Sequence, residues 1–185
     1  MKDLTYCPAC GEKTLSYLAT THNKWVCSSC GLNVYNNNAA AVGLIITFIK
    51  ENKEHILLVK RGREPRKGFL AVPGGFIDPG ESAEQAAYRE CKEETGLEAK
   101  NLHYITSAPN VYTFKGIDYT TCDLFFHATV TNDLQSLQTL LHPAEKDEIT
   151  GYDLYPIETE EDIDTIPLAF HSAKVALMAY KKSKK

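Results

Sequence analysis

The stretch that decides the fold is Gly74–Leu97, GGFIDPGESAEQAAYRECKEETGL. Pro79-Gly80 is a turn signal, Ser82 with Gln85 three residues on reads as an N-cap with a capping box, and Gly96 stands where a helix ends in a left-handed residue. A helix is therefore predicted from about Ala83 to Thr95. At roughly 100° per residue, Glu90, Glu93 and Glu94 fall on one face, with Arg89 one turn before Glu93. Carboxylates this close raise one another's pKa and destabilise the helix unless cations neutralise them. The spacing thus points to a hard divalent ion, Mg²⁺ or Mn²⁺, held through oxygen.

Gly75, Glu81 and the run Arg89-Glu90-Cys91-Lys92-Glu93-Glu94-Thr95-Gly96-Leu97 resemble the Nudix box of the Nudix hydrolases at every fixed position. Cys91 stands where that family usually has a larger aliphatic residue, and reads as a small buried hydrophobe. A solvated helix face is the commoner source of Glu-Glu runs, but it has no need of glycines or an arginine at fixed offsets. The resemblance implies an α/β sandwich around a mixed sheet. It implies Mg²⁺-assisted attack of water on the pyrophosphate of a nucleoside diphosphate linked to another group. It makes Glu90, Glu93 and Glu94 metal ligands, Gly75 a carbonyl ligand, Arg89 the residue that orients a carboxylate, and Glu81 a lesser candidate. Many members add a carboxylate on a loop after the box, as ligand or general base, and Glu148 best matches it, with Glu145 in reserve.

The chain has 185 residues, 43% hydrophobic, with a formal net charge of −4. That is room for one core plus a small appendage. The balance is too acidic for wrapping nucleic acid by charge alone, and the longest apolar runs, such as Ala39–Ile46, are too short to span a bilayer. The amino-terminal residues MKDLTYCPAC show no apolar signal segment, so the expected setting is cytoplasmic, without membrane attachment.

In that setting six cysteines are not a disulfide framework. Cys7-Pro8-Ala9-Cys10-Gly11 and Cys27-Ser28-Ser29-Cys30-Gly31 are two knuckles whose spacing reads as a structural Cys₄ zinc ribbon over residues 1–38, ahead of a hydrolase domain over 39–185. A redox pair would need a helix start in a thioredoxin-like unit, which neither motif has. So short a segment cannot bury enough surface to fold alone, and zinc supplies its folding energy. Lys2, Lys13 and Lys24 against Asp3 and Glu12 make no basic stripe, which leaves packing or homodimer formation as the ribbon's role. Trp25 and Tyr17 read as its core, and Cys91 and Cys122 as inert core positions.

Residues 34–38 read as a linker. Ala39–Ile46 follows as a buried strand, 51–54 as a turn, His55–Lys60 as a strand, and 61–67 as a basic loop in which at least one of Arg61, Arg63, Arg66 and Lys67 is expected to meet a phosphate, Arg61 and Arg63 first. After the box come a strand at 102–107 and a hairpin with arms 110–114 and 117–130. In the second arm Leu124, Phe126, Ala128 and Val130 face one way and Phe125, His127 and Thr129 the other. His127 reads as an ordinary sheet residue. Residues 143–164 are acidic, with a strand near 149–156, and the chain closes with a helix at 168–180 and a Lys-rich tail expected to fray.

A ribbon ahead of a Nudix box resembles the NADH pyrophosphatase branch of the family. That branch carries the signature SQPWPFP, where this chain has Ser107-Ala108-Pro109-Asn110-Val111-Tyr112 without the tryptophan. The expected substrates are therefore NADH or NAD, then ADP-ribose or another adenosine dinucleotide, cleaved to release AMP. Tyr112 and Phe114 share one strand face, either as partners for a flat ring or as core. Two other readings stand beside this one: a nucleoside triphosphate pyrophosphohydrolase, and a non-hydrolytic nucleotide-sensing module. A sensor has no reason to keep Glu90, Glu93, Glu94 and Arg89 together.

Overall fold

The computed structural model describes residues 4–13, 15–18, 23–130 and 137–184. Two compact units emerge: residues 1–39 with 111–120, and residues 40–110 with 121–185. In the first, β1 (Leu15–Leu18), β2 (Lys24–Cys27) and β3 (Asn33–Tyr35) form an antiparallel sheet in that order. Val34 and Tyr35, read above as linker, are thus strand residues. Trp25, Cys7 and Cys27 are buried, while the side chain of Tyr17 lies outside the described residues.

The second unit is built on β4 (Ala39–Lys50) from Ala40 onward, β5 (Lys53–Arg61), the short β6 (Leu70–Ala71), and the parts of β7 (Ala99–Phe114) and β8 (Ile117–Val130) outside segment 111–120, in a sheet ordered β6-β5-β4-β8-β7. The helices are α1 (Ala83–Thr95), α2 (Leu137–Leu140), α3 (Glu160–Thr165) and α4 (His171–Ser183), and β9 (Ile149–Pro156) pairs antiparallel with β5. An isolated parallel bridge, Leu70 to Leu168, makes the sheet mixed. Period-2 alternation divides its side chains between two cores. Val42, Leu44, Ile46, Leu57 and Phe126 pack with Ala86, Ala87 and Cys91 of α1 and Leu137 of α2. Ile45, Ile56, Leu58 and Phe125 pack with Ile163 of α3 and Ala173, Ala176 and Leu177 of α4. Helices cover both faces, so the central strands read as continuous apolar runs.

The expected alternation in β8 is present. Four further expectations need correction. The strands expected at 102–107 and 110–114 are one strand, because β7 is at a sheet edge, where Pro109 interrupts no ladder. α3 sits inside the segment read only as acidic. Its signal was Thr159, whose hydroxyl accepts from the amide of Asp162 while the Asp162 carboxylate accepts from the amide of Thr159. Cys122 is half-buried rather than core.

The fourth concerns the carboxyl-terminal tail. Buried Glu54 accepts from the Tyr180 hydroxyl at 2.8 Å and from the Lys184 ammonium. Burial raises the Glu54 pKa, but the hydrogen bonds from Lys184 and Tyr180 outweigh it and leave it lowered. A lowered carboxyl pKa contributes stability above its unfolded value that disappears as pH falls through the folded one. Lys184→Met is therefore expected to cost on the order of 1 kcal/mol at pH 7, a difference that shrinks on acidification, as paired melting curves at pH 7 and pH 4 will show.

Candidate active site

α1 forms as its caps dictate. The Ser82 hydroxyl accepts from the Gln85 amide, Gln85 returns the bond to the Ser82 amide, and Gly96 closes the helix at φ 74°. The exposed carbonyls of its last turn find partners. Those of Glu93, Glu94 and Thr95 accept from the Ala144 amide (2.6 Å), the Tyr152 hydroxyl (2.7 Å) and the His142 amide (3.2 Å). The helix end, the loop 141–148 and β9 are thus joined, which places Glu148 beside the box carboxylates. Tyr152 is a part of the site that the sequence reading missed, since nothing local links it to a helix some sixty residues away.

Two glycines bring the loop before α1 close. Gly74 has φ 151°, and a Cβ there would lie 2.1 Å from the Val42 carbonyl oxygen; a Cβ on Gly75 would lie 2.5 Å from Glu90 Oε1. The Gly75 carbonyl accepts from the Val42 amide at 2.8 Å, which leaves one of its lone pairs. The Gly74 amide donates to Glu94 Oε2 at 2.7 Å.

Arg89 uses all of its N–H groups. Nε and Nη2 hold Glu81 at 2.8 Å each, Nη1 reaches Glu90 at 2.7 Å and Glu93 at 3.0 Å, and Nη2 also meets the Phe76 carbonyl at 3.1 Å. Hydrogen bonds from Arg89 pull the Glu81 pKa down to about 2, so Glu81 serves as the counter-charge of Arg89. Burial raises the pKa of Glu90 against the pull of Arg89. Burial also pushes Glu94 up to about 8, opposed by the Gly74 amide and reinforced by the charges of Glu90 and Glu148.

A cavity of about 130 Å³ opens here, lined by Glu90, Glu93, Glu94, Pro143, Ala144, Glu145, Glu148 and Ile149. The structure therefore brings together the three box glutamates with both later-loop candidates. Of the expected phosphate contacts, Arg61 donates to the Pro65 carbonyl at 2.9 Å, lies over the Phe170 ring and acts electrostatically on Glu94. Arg63 is taken by carboxylates, with Asp147 at 2.6 Å, Glu145 at 2.8 Å and Glu148 at 3.7 Å. Tyr112 and the partly exposed Phe114 do not line the cavity and belong to segment 111–120 of the other unit.

The second cluster is in the first unit. Cys7, Cys10, Cys27 and Cys30 place their sulfurs all within 4.8 Å of one another. The Cys7–Cys30 and Cys10–Cys27 separations are 3.6 and 3.7 Å. Gly11 and Gly31 both adopt φ 76° and donate to the carbonyls of Cys7 and Cys27. The Leu32 amide favours ionisation of Cys30, but the neighbouring thiols of Cys27 and Cys7 raise its pKa to about 12. Four sulfurs this close cannot all ionise without a cation. Among the described residues no other group of three or more such ligand atoms converges as tightly.

The NUDIX domain model matches residues 38–174. The chain belongs to the NUDIX family. Three relatives are informative. The NAD-capped RNA hydrolase of Schizosaccharomyces pombe is 34% identical over 116 residues, 56% of this chain and 30% of the relative. The ADP-ribose pyrophosphatase of Methanocaldococcus jannaschii is 48% identical over 79 residues, 42% of this chain and 44% of the relative. The NAD-capped RNA hydrolase NudC of Escherichia coli is 38% identical over 104 residues, 56% of this chain and 38% of the relative. The chain thus covers less than half the length of these curated relatives. Among solved structures, the NUDIX domain of Shewanella oneidensis NrtR complexed with ADP ribose superposes with TM-score 0.63 at 18% identity, over 80% of this chain and 90% of that one. A NUDIX hydrolase from Nitrosomonas europaea does so with TM-score 0.60 at 23% identity, over 96% and 89%. These structures share the NUDIX fold. No helix among the described residues is long and apolar enough to cross a membrane.

The raised Glu94 pKa has a defined sign. Between the unfolded carboxyl value of about 4.3 and the folded value of about 8, the folded protein holds a proton the unfolded chain has lost, so stability falls as pH rises across that window. Without divalent ions, Glu94→Gln should raise the melting temperature at pH 8, and the gain should vanish near pH 4. A melting series on protein freed of Mg²⁺ and Mn²⁺ is the measurement.

Proposed function

We propose that this chain is a divalent-cation-dependent pyrophosphohydrolase that splits the pyrophosphate of an adenosine-containing dinucleotide or ADP-sugar and releases AMP. The observation that carries this reading is the cavity in which Glu90, Glu93 and Glu94 of the box helix meet Glu148 and Glu145 of the later loop. Its donors are all carboxylate oxygens, which suit Mg²⁺ or Mn²⁺. About 130 Å³ is room for cations, a few waters and phosphate oxygens, well short of the roughly 300 Å³ or more of a pocket for a whole organic ligand. The nucleoside therefore rests outside it.

Bound divalent ions would neutralise phosphate oxygens and make water a better nucleophile. Glu90, Glu93 and Glu94 would hold them, Glu94 as its carboxylate. Arg89 fixes the directions of Glu90 and Glu93, and Glu148 is the carboxylate placed to accept the proton of the attacking water. The names of the relatives support the substrate class, since NAD-capped RNA and ADP-ribose share a pyrophosphate attached to adenosine. NADH or NAD stands ahead of ADP-ribose because of the ribbon.

Cys7, Cys10, Cys27 and Cys30 hold one structural zinc. A tetrahedron with metal–sulfur bonds of about 2.3 Å has edges of roughly 3.8 Å, close to the separations above. The setting is cytoplasmic, and a homodimer through the ribbon fits its lack of a basic stripe.

Chromatography of Mg²⁺ reactions decides the substrate: AMP with nicotinamide mononucleotide, or AMP with ribose phosphate, is expected. Conversion of nucleoside triphosphates to monophosphates with dinucleotides untouched would overturn it. Glu93→Gln and Glu94→Gln should each lower kcat by roughly 10²- to 10³-fold without loss of stability; near-normal turnover at saturating Mg²⁺ would remove the assignment. Elemental analysis of protein purified without added metal should give one zinc per chain, and Cys27→Ser should lose it while leaving α1 folded.

A further inference from the structure

The pairing of β5 with β9 shifts register between Lys60 and Arg61 and ends at the Arg61–Ile149 pair. At this point two segments far apart in sequence touch. The Gly62 amide donates to the Glu148 carbonyl at 2.6 Å, and a Cβ on residue 62 would lie 2.2 Å from the Asp147 carbonyl oxygen, so only glycine admits the approach. The next residue, Arg63, donates from Nε at 3.0 Å and Nη2 at 2.6 Å to Asp147 Oδ2, and from Nη2 at 2.8 Å to Glu145. Its Nη1 lies 3.7 Å from Glu148. The hydrogen bonds that Arg63 donates to Asp147 and Glu145 raise the Arg63 pKa further and lower that of Asp147. One exposed ion pair contributes little; here one guanidinium ties together three carboxylates of a loop whose backbone is already bonded to the neighbouring residue.

The same loop supplies Glu145 and Glu148 to the cavity. Without a counter-charge, these carboxylates would be repelled by Glu90, Glu93 and Glu94 and the loop would swing outward. We propose that Arg63 is a positioning residue that holds loop 143–148 against the end of β5, keeping Glu148 turned towards Glu90 and Glu94, and is not a ligand of the substrate's phosphates. The proposal rests on the hydrolase reading for its kinetic consequences, but not for the loop contact itself.

Two measurements on the full chain test it. By amide hydrogen exchange without added divalent ions, Arg63→Met should speed exchange at Gly62, Ala144, Glu148 and Ile149 by at least about tenfold, with the Gly96 amide unchanged. Unchanged loop exchange overturns the proposal. In steady-state kinetics, Arg63→Met should lower kcat by about tenfold with KM within about twofold, Arg63→Lys should recover part of the loss, and Arg63→Met should cost nothing further in a Glu148→Gln background. A rise in KM alone, as for a lost phosphate ligand, or losses that multiply in the double variant, overturn it. Should the wild-type chain cleave no adenosine diphosphate compound, the hydrolase reading fails, and the exchange experiment still decides the loop contact.

Discussion

Five contacts from one guanidinium hold the front of the candidate site together. Arg89 reaches Glu81 twice, Glu90, Glu93 and the Phe76 carbonyl, and so binds the loop before α1 to the face of the helix. Without it, the carboxylates that the helix spacing places side by side would repel one another and the loop would lose its anchor. The close approach of Gly74 and Gly75 to Val42 and Glu90 depends on that anchor, because a backbone drawn so near a helix must be held there. Glu81 is therefore tied to the site through charge balance, being the partner that lets Arg89 remain among acids and still be fully satisfied.

The carboxylates around the cavity are compensated in three different ways. Arg89 serves Glu90 and Glu93, and Arg63 serves Glu145, Asp147 and Glu148. Glu94 has the Gly74 amide and, through burial, a proton held to about pH 8. Under the proposed hydrolase reading, a divalent cation held here would compete with the Glu94 proton and with the two guanidinium groups. Metal affinity in such a site depends on pH for that reason.

Packing supports the same geometry from behind. Ala86, Ala87 and Cys91 are fully buried against the sheet, and small residues there let α1 lie close. Its last-turn carbonyls are met by the loop 141–148 and by Tyr152 of β9, so the helix end, the acidic loop and the sheet are joined by hydrogen bonds. On the opposite face, Glu54, Tyr180 and Lys184 anchor the end of α4.

Much was legible in the sequence because it depends on short-range periodicity. The limits of α1, its caps, the shared face of Glu90, Glu93 and Glu94, the two Cys-x-x-Cys knuckles and the alternation in β8 follow from spacing over a few residues, where backbone geometry leaves little choice. Other features depend on contacts between distant segments. Pro109 looks like a strand break until its strand is found at a sheet edge, and the Lys-rich tail looks free until buried Glu54 meets Lys184. Arg63 reads in the sequence as one of several basic loop residues, and only the fold brings Asp147 and Glu145 to its guanidinium. Tyr152 gives no local sign that its hydroxyl meets the last turn of α1. By itself the sequence determined which groups stand side by side along one helix or knuckle; the tertiary structure decided which charges face one another across the fold, because Coulombic and hydrogen-bond partners are chosen by distance in space.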